Sequence, residues 1–299
     1  NEFPKNRLGL AQWMTHKKHP LTARVAVNRY WQMIFATGIV KTSEDFGSQG
    51  EYPSHPELLD YLAIEFIEQG WDIKQLIKSI VMSATYQQSS TYNKTYAKKD
   101  PHNRLLHRAP SFRLQAELVR DNALSISGLL NPHVGGPSVF PQQPEGLWVQ
   151  VSHFGHNKGG PSSQAYFQSS KKNIRRSMYT AIKRTALHPN MATFDAPSRE
   201  TCTARRLQTN TPLQALVTLN DPQFLQAAHA LASLMKSESI DLQEQLSYGF
   251  KRATGRRASA KEIDLLRQNF DQQASYYQKN QADLIALIIF LLLPDVDIA

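Results

Sequence analysis

Four helix-start signals, each followed by an apolar stripe, constrain this chain more than any other feature. Ser54-His55-Pro56-Glu57, Thr211-Pro212-Leu213-Gln214, Asp221-Pro222 and Ser259-x-x-Glu262 set an oxygen-bearing side chain ahead of a proline, a glutamate or a glutamine. Such side chains satisfy N–H groups that a first helical turn leaves without partners, and proline brings a φ already suited to that turn. Behind the first signal, Leu58, Leu59, Leu62, Ala63, Phe66 and Ile67 keep helical spacing up to Gly70. Asp72 then caps a second helix carrying Ile73, Leu76, Ile77, Ile80 and Val81, so the pair reads as an αα-hairpin. An earlier helix runs after Pro20 up to Gly38 with Leu21, Val25, Val27, Tyr30, Trp31, Ile34 and Phe35 at near-helical spacing, and another spans Arg113 to Leu129. The signal at Asp221 opens a helix with Phe224, Ala228, Leu231 and Met235 on one side, and Ser259 one with Ile263, Leu266 and Phe270.

The middle of the chain breaks this pattern. Residues 131–171 hold six of the 14 glycines and five of the 16 prolines, and no helical period survives there. A connection of that length is functional or disordered far more often than it is a plain link, and Trp148, Phe154, Tyr166 and Phe167 argue for order. The segment Arg175–Thr185 reads as strand or helix. The expectation is a mainly α, multi-helix globular domain with a long irregular Gly/Pro-rich excursion at about 131–171. Residues 1–130 form its N-terminal helical part and 172–299 its C-terminal helical part. The parts read as one integrated domain and, without an initiator Met, as a piece of a larger protein; Asn1-Glu2-Phe3-Pro4 has neither a basic head nor an apolar signal core.

Composition excludes several chemistries. A single cysteine, Cys202, rules out an internal disulfide framework, a four-cysteine zinc site and a cysteine-held iron–sulfur cluster. With no Cys-x-x-Cys-His, no c-type haem is attached within this chain, so no cofactor is expected in it. Cys202 itself reads as a buried thiol or a bridge to another domain. The longest apolar run, Leu284–Leu293, is half the length a membrane span needs and reads as a buried helix or strand. Net charge is +9, but the basic pairs, from Lys17-Lys18 to Arg256-Arg257, are spread along the whole chain. A nucleic-acid site would gather charge on one element beside a recognised motif, so no nucleic-acid partner is expected.

Two constellations are candidates for chemistry. Arg24, Asn28 and Arg29 sit on one helix, with Arg24 and Asn28 on one face, and Glu44, Asp45 and His55 follow a loop away. Carboxylate and imidazole together suit hydrolysis or the holding of a metal; the same residues also suit a polar network locking the Gly38–Ser54 loop. In the second, Asp195 lies in a turn between Phe194 and Ala196-Pro197, and Arg205, Arg206 and Asn210 lead into the Thr211-Pro212 helix start. A helix start with nearby arginines suits a carboxylate or phosphate; the alternative is that Asp195 pairs with Arg205 or Arg206 and pins the loop. Arg120-Asp121 reads as a solvated ion-pair face. His16-x-x-His19 and His153-x-x-His156 lack a third ligand at metal spacing, so no metal site is assigned.

Several segments together resemble domain of unknown function 1553: Leu21-Thr22-Ala23-Arg24-Val25-Ala26-Val27-Asn28-Arg29, Ser54-His55-Pro56-Glu57, Asp100-Pro101-x-Asn103-Arg104-Leu105-Leu106, Gly135-Gly136-Pro137-Ser138-Val139, Arg175-Arg176-Ser177-Met178-Tyr179, and Phe194-Asp195-Ala196-Pro197 with Thr209-Asn210-Thr211-Pro212-Leu213-Gln214. The resemblance implies an exported bacterial protein of planctomycete type, in which this domain follows a cytochrome-c-like domain that carries any haem. It implies an extracytoplasmic place, with the preceding domains of the same polypeptide and acidic polysaccharide as partners. The expected function is a binding or scaffolding module for anionic polymer or a neighbouring domain. Its ligand surface would use Trp148 as an aromatic platform and Lys183, Arg184, Arg205 and Arg206 for anion contacts, with Arg24, Asn28, Arg29 and Asn210 as further ligand contacts. The alternative is a hydrolase or redox-associated enzyme using Asp45, His55 and Asp195.

Overall fold

A computed structural model describes residues 3–142, 174–182 and 187–292, with side chains as far as 288. Among them the regular elements are thirteen α-helices and one 3₁₀ turn, with two isolated bridges and no strand. This is the mainly α class that the capping signals and stripes predict. The chain divides into two compact units, residues 1–113 and 114–299.

The first unit holds α1 (Arg7–Met14), α2 (Thr22–Phe35), α3 (Pro56–Glu68), α4 (Ile73–Val81), α5 (Ala84–Gln87) and α6 (Lys94–Lys99). Its core forms where the stripes of α2, α3 and α4 meet: Val27, Trp31, Phe35, Leu62, Phe66 and Leu76 are all buried. Trp31 and Phe35 stack with centroids 4.2 Å apart. Asp72 caps α4 by accepting from the Lys74 and Gln75 N–H groups. The capping box read at Ser54 does not form. Pro56 occupies the first helical position, which makes His55 the cap residue, and Ser54 Oγ turns instead to the Ile39 carbonyl.

The second unit holds α7 (Ala116–Ile126), α8 (Pro189–Thr193), α9 (Pro212–Asn220), α10 (Pro222–Glu238), α11 (Leu242–Thr254), α12 (Ala260–Lys279) and α13 (Gln281–Leu292). Gln214 Oε1 accepts the Thr211 N–H at 3.3 Å, Asp221 caps α10, and Ser259 with Glu262 forms a reciprocal box on α12. The apolar stripe of α10 runs through Ala227 rather than Ala228, which is exposed. A Cβ on Gly249 of α11 would sit 2.7 Å from Met235 Sδ, so a larger residue there would push the Met235 side chain of α10 aside. Phe270 is exposed on α12. Ile285 and Ile288 of α13 are exposed too, which corrects the buried reading of the C-terminal run. No helix among the described residues is long and apolar enough to cross a membrane.

Residues 174–182 are neither strand nor continuous helix. A 3₁₀ turn at Ser177–Tyr179 lies between bridges from Arg175 to Asn131 and from Thr180 to Val139. The Arg175 guanidinium donates to the carbonyls of Pro137 (2.7 Å), His133 and Gly135, and lies 3.7 Å over the Tyr179 ring. The Gly135-Gly136-Pro137 and Arg175–Tyr179 segments are thus two halves of one staple. The rest of the expected excursion, Trp148 included, lies outside the described residues, as do Lys183 and Arg184.

Candidate functional site

A cleft in the first unit gathers the side chains with the most chemical potential. It begins with Asn28, wholly buried on α2. Its Oδ1 accepts the Val40 N–H at 2.8 Å, and its Nδ2 donates to the Val40 carbonyl at 3.0 Å. A Cβ on Gly38 would lie 2.6 Å from Asn28 Nδ2, so glycine lets the 38–40 turn settle on that amide. From the far side Arg104 donates to the carbonyls of Gly38 (2.9 Å) and Ile39 (3.0 Å). Arg104 is positioned by its own loop: Asp100 accepts the N–H groups of Arg104 and Leu105, and Asn103 bonds both backbone groups of Arg108.

The space between these loops has a volume of about 160 Å³. Trp31 and Phe35 line it, with His55, His102, Arg104 and Arg108 around them, and no aspartate or glutamate is part of the wall. Arg104 and Arg108 make no ion pair among the described residues. His55 Nδ1 lies 3.0 Å from Ser54 Oγ. Three wall residues, Ala36, Asn103 and Leu106, have φ of 65°, 53° and 56°. Each such backbone costs a non-glycine residue on the order of 1–3 kcal/mol, and such strain gathers where a site must hold one shape. Sequence reasoning picked out His55 but not His102, Arg104 or Arg108. Their signal was the Asp100-Pro101-x-Asn103-Arg104 segment, whose positive-φ asparagine marks a built loop.

The other N-terminal candidates sit elsewhere in the unit. Arg24 pairs with Asp60 at 2.6 Å and donates to the Pro20 carbonyl. That contact holds the Asp60 carboxyl below its ordinary range. Arg29 is exposed. Asp45 accepts the Gly47 N–H at 2.7 Å and shapes the 42–50 turn, and it is not part of the cleft wall.

In the second unit, Asp195 has φ 63° and accepts from the Thr209 N–H (2.8 Å) and hydroxyl (2.9 Å). Gln214 adds bonds to the Thr193 carbonyl and the Thr209 hydroxyl, closing the base of the loop between them. Arg206 pairs with Glu117 at 2.5 Å, with Arg199 3.9 Å from the same carboxylate. Burial is the largest influence on the Glu117 carboxyl and would raise it, but the Arg206 and backbone hydrogen bonds and the charges of Arg206 and Arg199 together outweigh burial, and the group lies below its ordinary range. Arg205 and Asn210 are on the exposed loop. Cys202 is exposed, contrary to the expected buried thiol, and forms no disulfide within the chain.

Arg120-Asp121 is the largest departure from the sequence reading. Arg120 is 1% exposed, and its guanidinium reaches Gln223 Oε1 (2.5 Å), the Arg175 carbonyl (2.8 Å) and Ser177 Oγ (3.2 Å). Asp121 accepts the Ser177 N–H at 2.7 Å. Gln223 Nε2 donates to the Gln142 carbonyl and lies 3.5 Å from His188 Nε2. A pair of adjacent opposite charges on a helix looks solvated in one dimension; here partners from residues 55 and 103 positions away draw it inside. Burial lowers Arg120 to about 10 and His188 to about 3, with Arg120 adding to the effect on His188, while burial raises Asp221. No group of three or more potential metal ligands occurs among the described residues.

Fold and cleft together define an all-α protein whose N-terminal unit carries a small cationic cleft. The chain belongs to the family described as protein of unknown function (DUF1553), PSD1, whose model matches residues 6–270. No curated protein and no solved structure matches it.

Proposed function

We propose that this chain is a binding module for an anionic group, and that the cleft between the 36–40 turn and the 100–108 loop receives it. The observation that carries this reading is a wall with two imidazoles and two guanidiniums but no carboxylate. An anion entering there gains charge-assisted hydrogen bonds without displacing a resident acid. The volume of about 160 Å³ suits one sugar-sized residue rather than a chain lying flat. An acidic glycan would present a terminal uronate or sulfated sugar, with Trp31 and Phe35 beneath its apolar face. In the exported, cytochrome-linked setting that the family resemblance implies, acidic polysaccharide is the partner we favour over a neighbouring domain.

Calorimetric titration of the chain with glucuronate, a sulfated monosaccharide and inorganic sulfate tests this. Binding that weakens about tenfold in His102→Ala and in Arg108→Gln supports it, since one charge-assisted contact is worth about that much. No heat with any of the three probes at millimolar concentration overturns it.

The Ser54–His55 contact favours a second reading, a hydrolase in which the Ser54 hydroxyl leaves the Ile39 carbonyl and attacks an ester carbon, His55 takes its proton and passes it to the alcohol as the ester C–O bond breaks, and water then releases the acyl group. Turnover of nitrophenyl esters that disappears in Ser54→Ala while anion binding persists would select this reading over simple binding.

A further inference from the structure

We infer that α1 and the segment around it form a docking surface for an anionic lipid bilayer, independent of the cleft. Within α1 only Gly9 is buried. Leu8, Leu10, Trp13 and Met14 are 62%, 55%, 48% and 46% exposed. An eight-residue helix is marginal in water by its own hydrogen bonds, and helices of this length persist through packing of an apolar face. Leu10, Trp13 and Met14 lie at i, i+3 and i+4 and share such a face. With Phe3 and Pro4, Leu10 and Trp13 line an open depression of about 460 Å³ that has Lys5 at its edge.

The surface is held in place. Asn6 caps α1 through the Gly9 N–H, and Trp13 packs edge-on to His19 at 4.3 Å. His19 Nδ1 accepts the N–H groups of Leu21 and Thr22 at the start of α2. The apolar side chains are therefore presented from a fixed base.

Charge selects the occupant. Residues 3–43 contain seven lysines and arginines and no aspartate or glutamate, and of the seven Arg24 and Lys41 are paired with Asp60 and Glu51 from beyond that stretch. Lys5, Arg7, Lys17 and Lys18, which flank α1, are all exposed. Exposed leucine, methionine and tryptophan ringed by cations match the boundary between acyl chains and anionic headgroups, where apolar burial and charge attraction add. A soluble acidic glycan would use the lysines but leave the apolar side chains in water. A second copy of the chain would bring the same unbalanced cations against these. Adsorption of this kind needs no membrane-crossing helix.

Flotation of the full chain with vesicles of phosphatidylglycerol in phosphatidylcholine, against phosphatidylcholine alone, tests the inference. Binding to the anionic vesicles is expected. It should fall about fivefold for each charge removed in Lys17→Glu/Lys18→Glu, and at least as far in Leu10→Ala/Trp13→Ala, with unchanged far-ultraviolet dichroism in both variants. Three results overturn it. One is no binding to anionic vesicles; another is undiminished binding in Leu10→Ala/Trp13→Ala, which leaves only a charge patch. The third is a wild-type dimer that Leu10→Ala/Trp13→Ala converts to monomer, which assigns the face to a second copy.

Discussion

The Asn28 amide and the Val40 peptide close a two-bond ring, Val40 N–H to Oδ1 at 2.8 Å and Nδ2 to the Val40 carbonyl at 3.0 Å. A buried peptide satisfied at both ends by one side chain ties the turn after α2 to the helix itself. Asn28→Ala leaves two buried backbone groups without partners and should cost about 2–4 kcal/mol. Asn28→Asp should fare little better, because a carboxylate accepts from Val40 but cannot donate back. Urea unfolding of both variants checks this, and a loss near zero in Asn28→Ala would contradict it.

Arg120 joins α7 to Arg175, Ser177 and Gln223 at once. Arg120→Met should destabilise the second unit by about 3–5 kcal/mol, because three buried acceptors lose their donor and Asp121 keeps only the half-exposed Arg176, 3.8 Å away, as a cation. Arg120→Lys keeps the charge but has one nitrogen where the guanidinium fork serves three partners, so most of the loss should remain. Thermal unfolding of the two variants would show it; a lysine variant as stable as wild type would mean that charge alone matters.

His188 makes stability depend on pH. Burial and the Arg120 charge hold its imidazole down at about 3, against 6.5 ordinarily. Between those values the unfolded chain binds a proton that the native state refuses. The contribution is therefore complete above the unfolded value and shrinks as pH falls towards 3, at up to about 1.4 kcal/mol per pH unit. Asp221 opposes this over its own range: burial raises its carboxyl, so its contribution is present in acid and lost as pH rises through the native value. Denaturant unfolding from pH 7 to pH 4 should show a shallower slope in His188→Gln than in wild type. Parallel slopes would remove His188 from the balance.

Asp195 holds the 195–209 loop by its base while adopting a left-handed backbone. Asp195→Ala loses the Thr209 bonds and keeps an alanine at positive φ, for a cost of about 2 kcal/mol. Asp195→Asn retains one acceptor and tolerates that backbone, so about half the loss should return. Limited proteolysis within 198–208 should quicken in the order wild type, asparagine, alanine; equal rates would mean that the loop is held by Arg206 and Glu117 alone.

Most helix starts were legible because a cap is a local event: Asp72, Asp221 and Ser259 bond N–H groups two or three residues ahead. Ser54 shows the limit of that logic, since the Ile39 carbonyl, fifteen residues back, takes its hydroxyl from the expected cap. Asn28 and Arg24 were legible as helix neighbours. That one would turn inward to Val40 and the other outward to Asp60 was not, because only the packing of α2 against α3 distinguishes their sides. Family motifs scattered along the chain turned out to be halves of single objects, as with Gly135–Pro137 and Arg175–Tyr179.

Sequence by itself determined the helical class, the stops at Gly70 and Gly128, and the breakdown of periodicity after residue 131, because backbone capping and apolar spacing act over one or two turns. Tertiary structure alone decided that Arg104 would reach Gly38 across 66 residues and that Arg120 would be buried. It also decided that α1 would keep its leucines and tryptophan in the open. Burial and charge pairing depend on which surfaces meet in space, and no spacing along the chain encodes that.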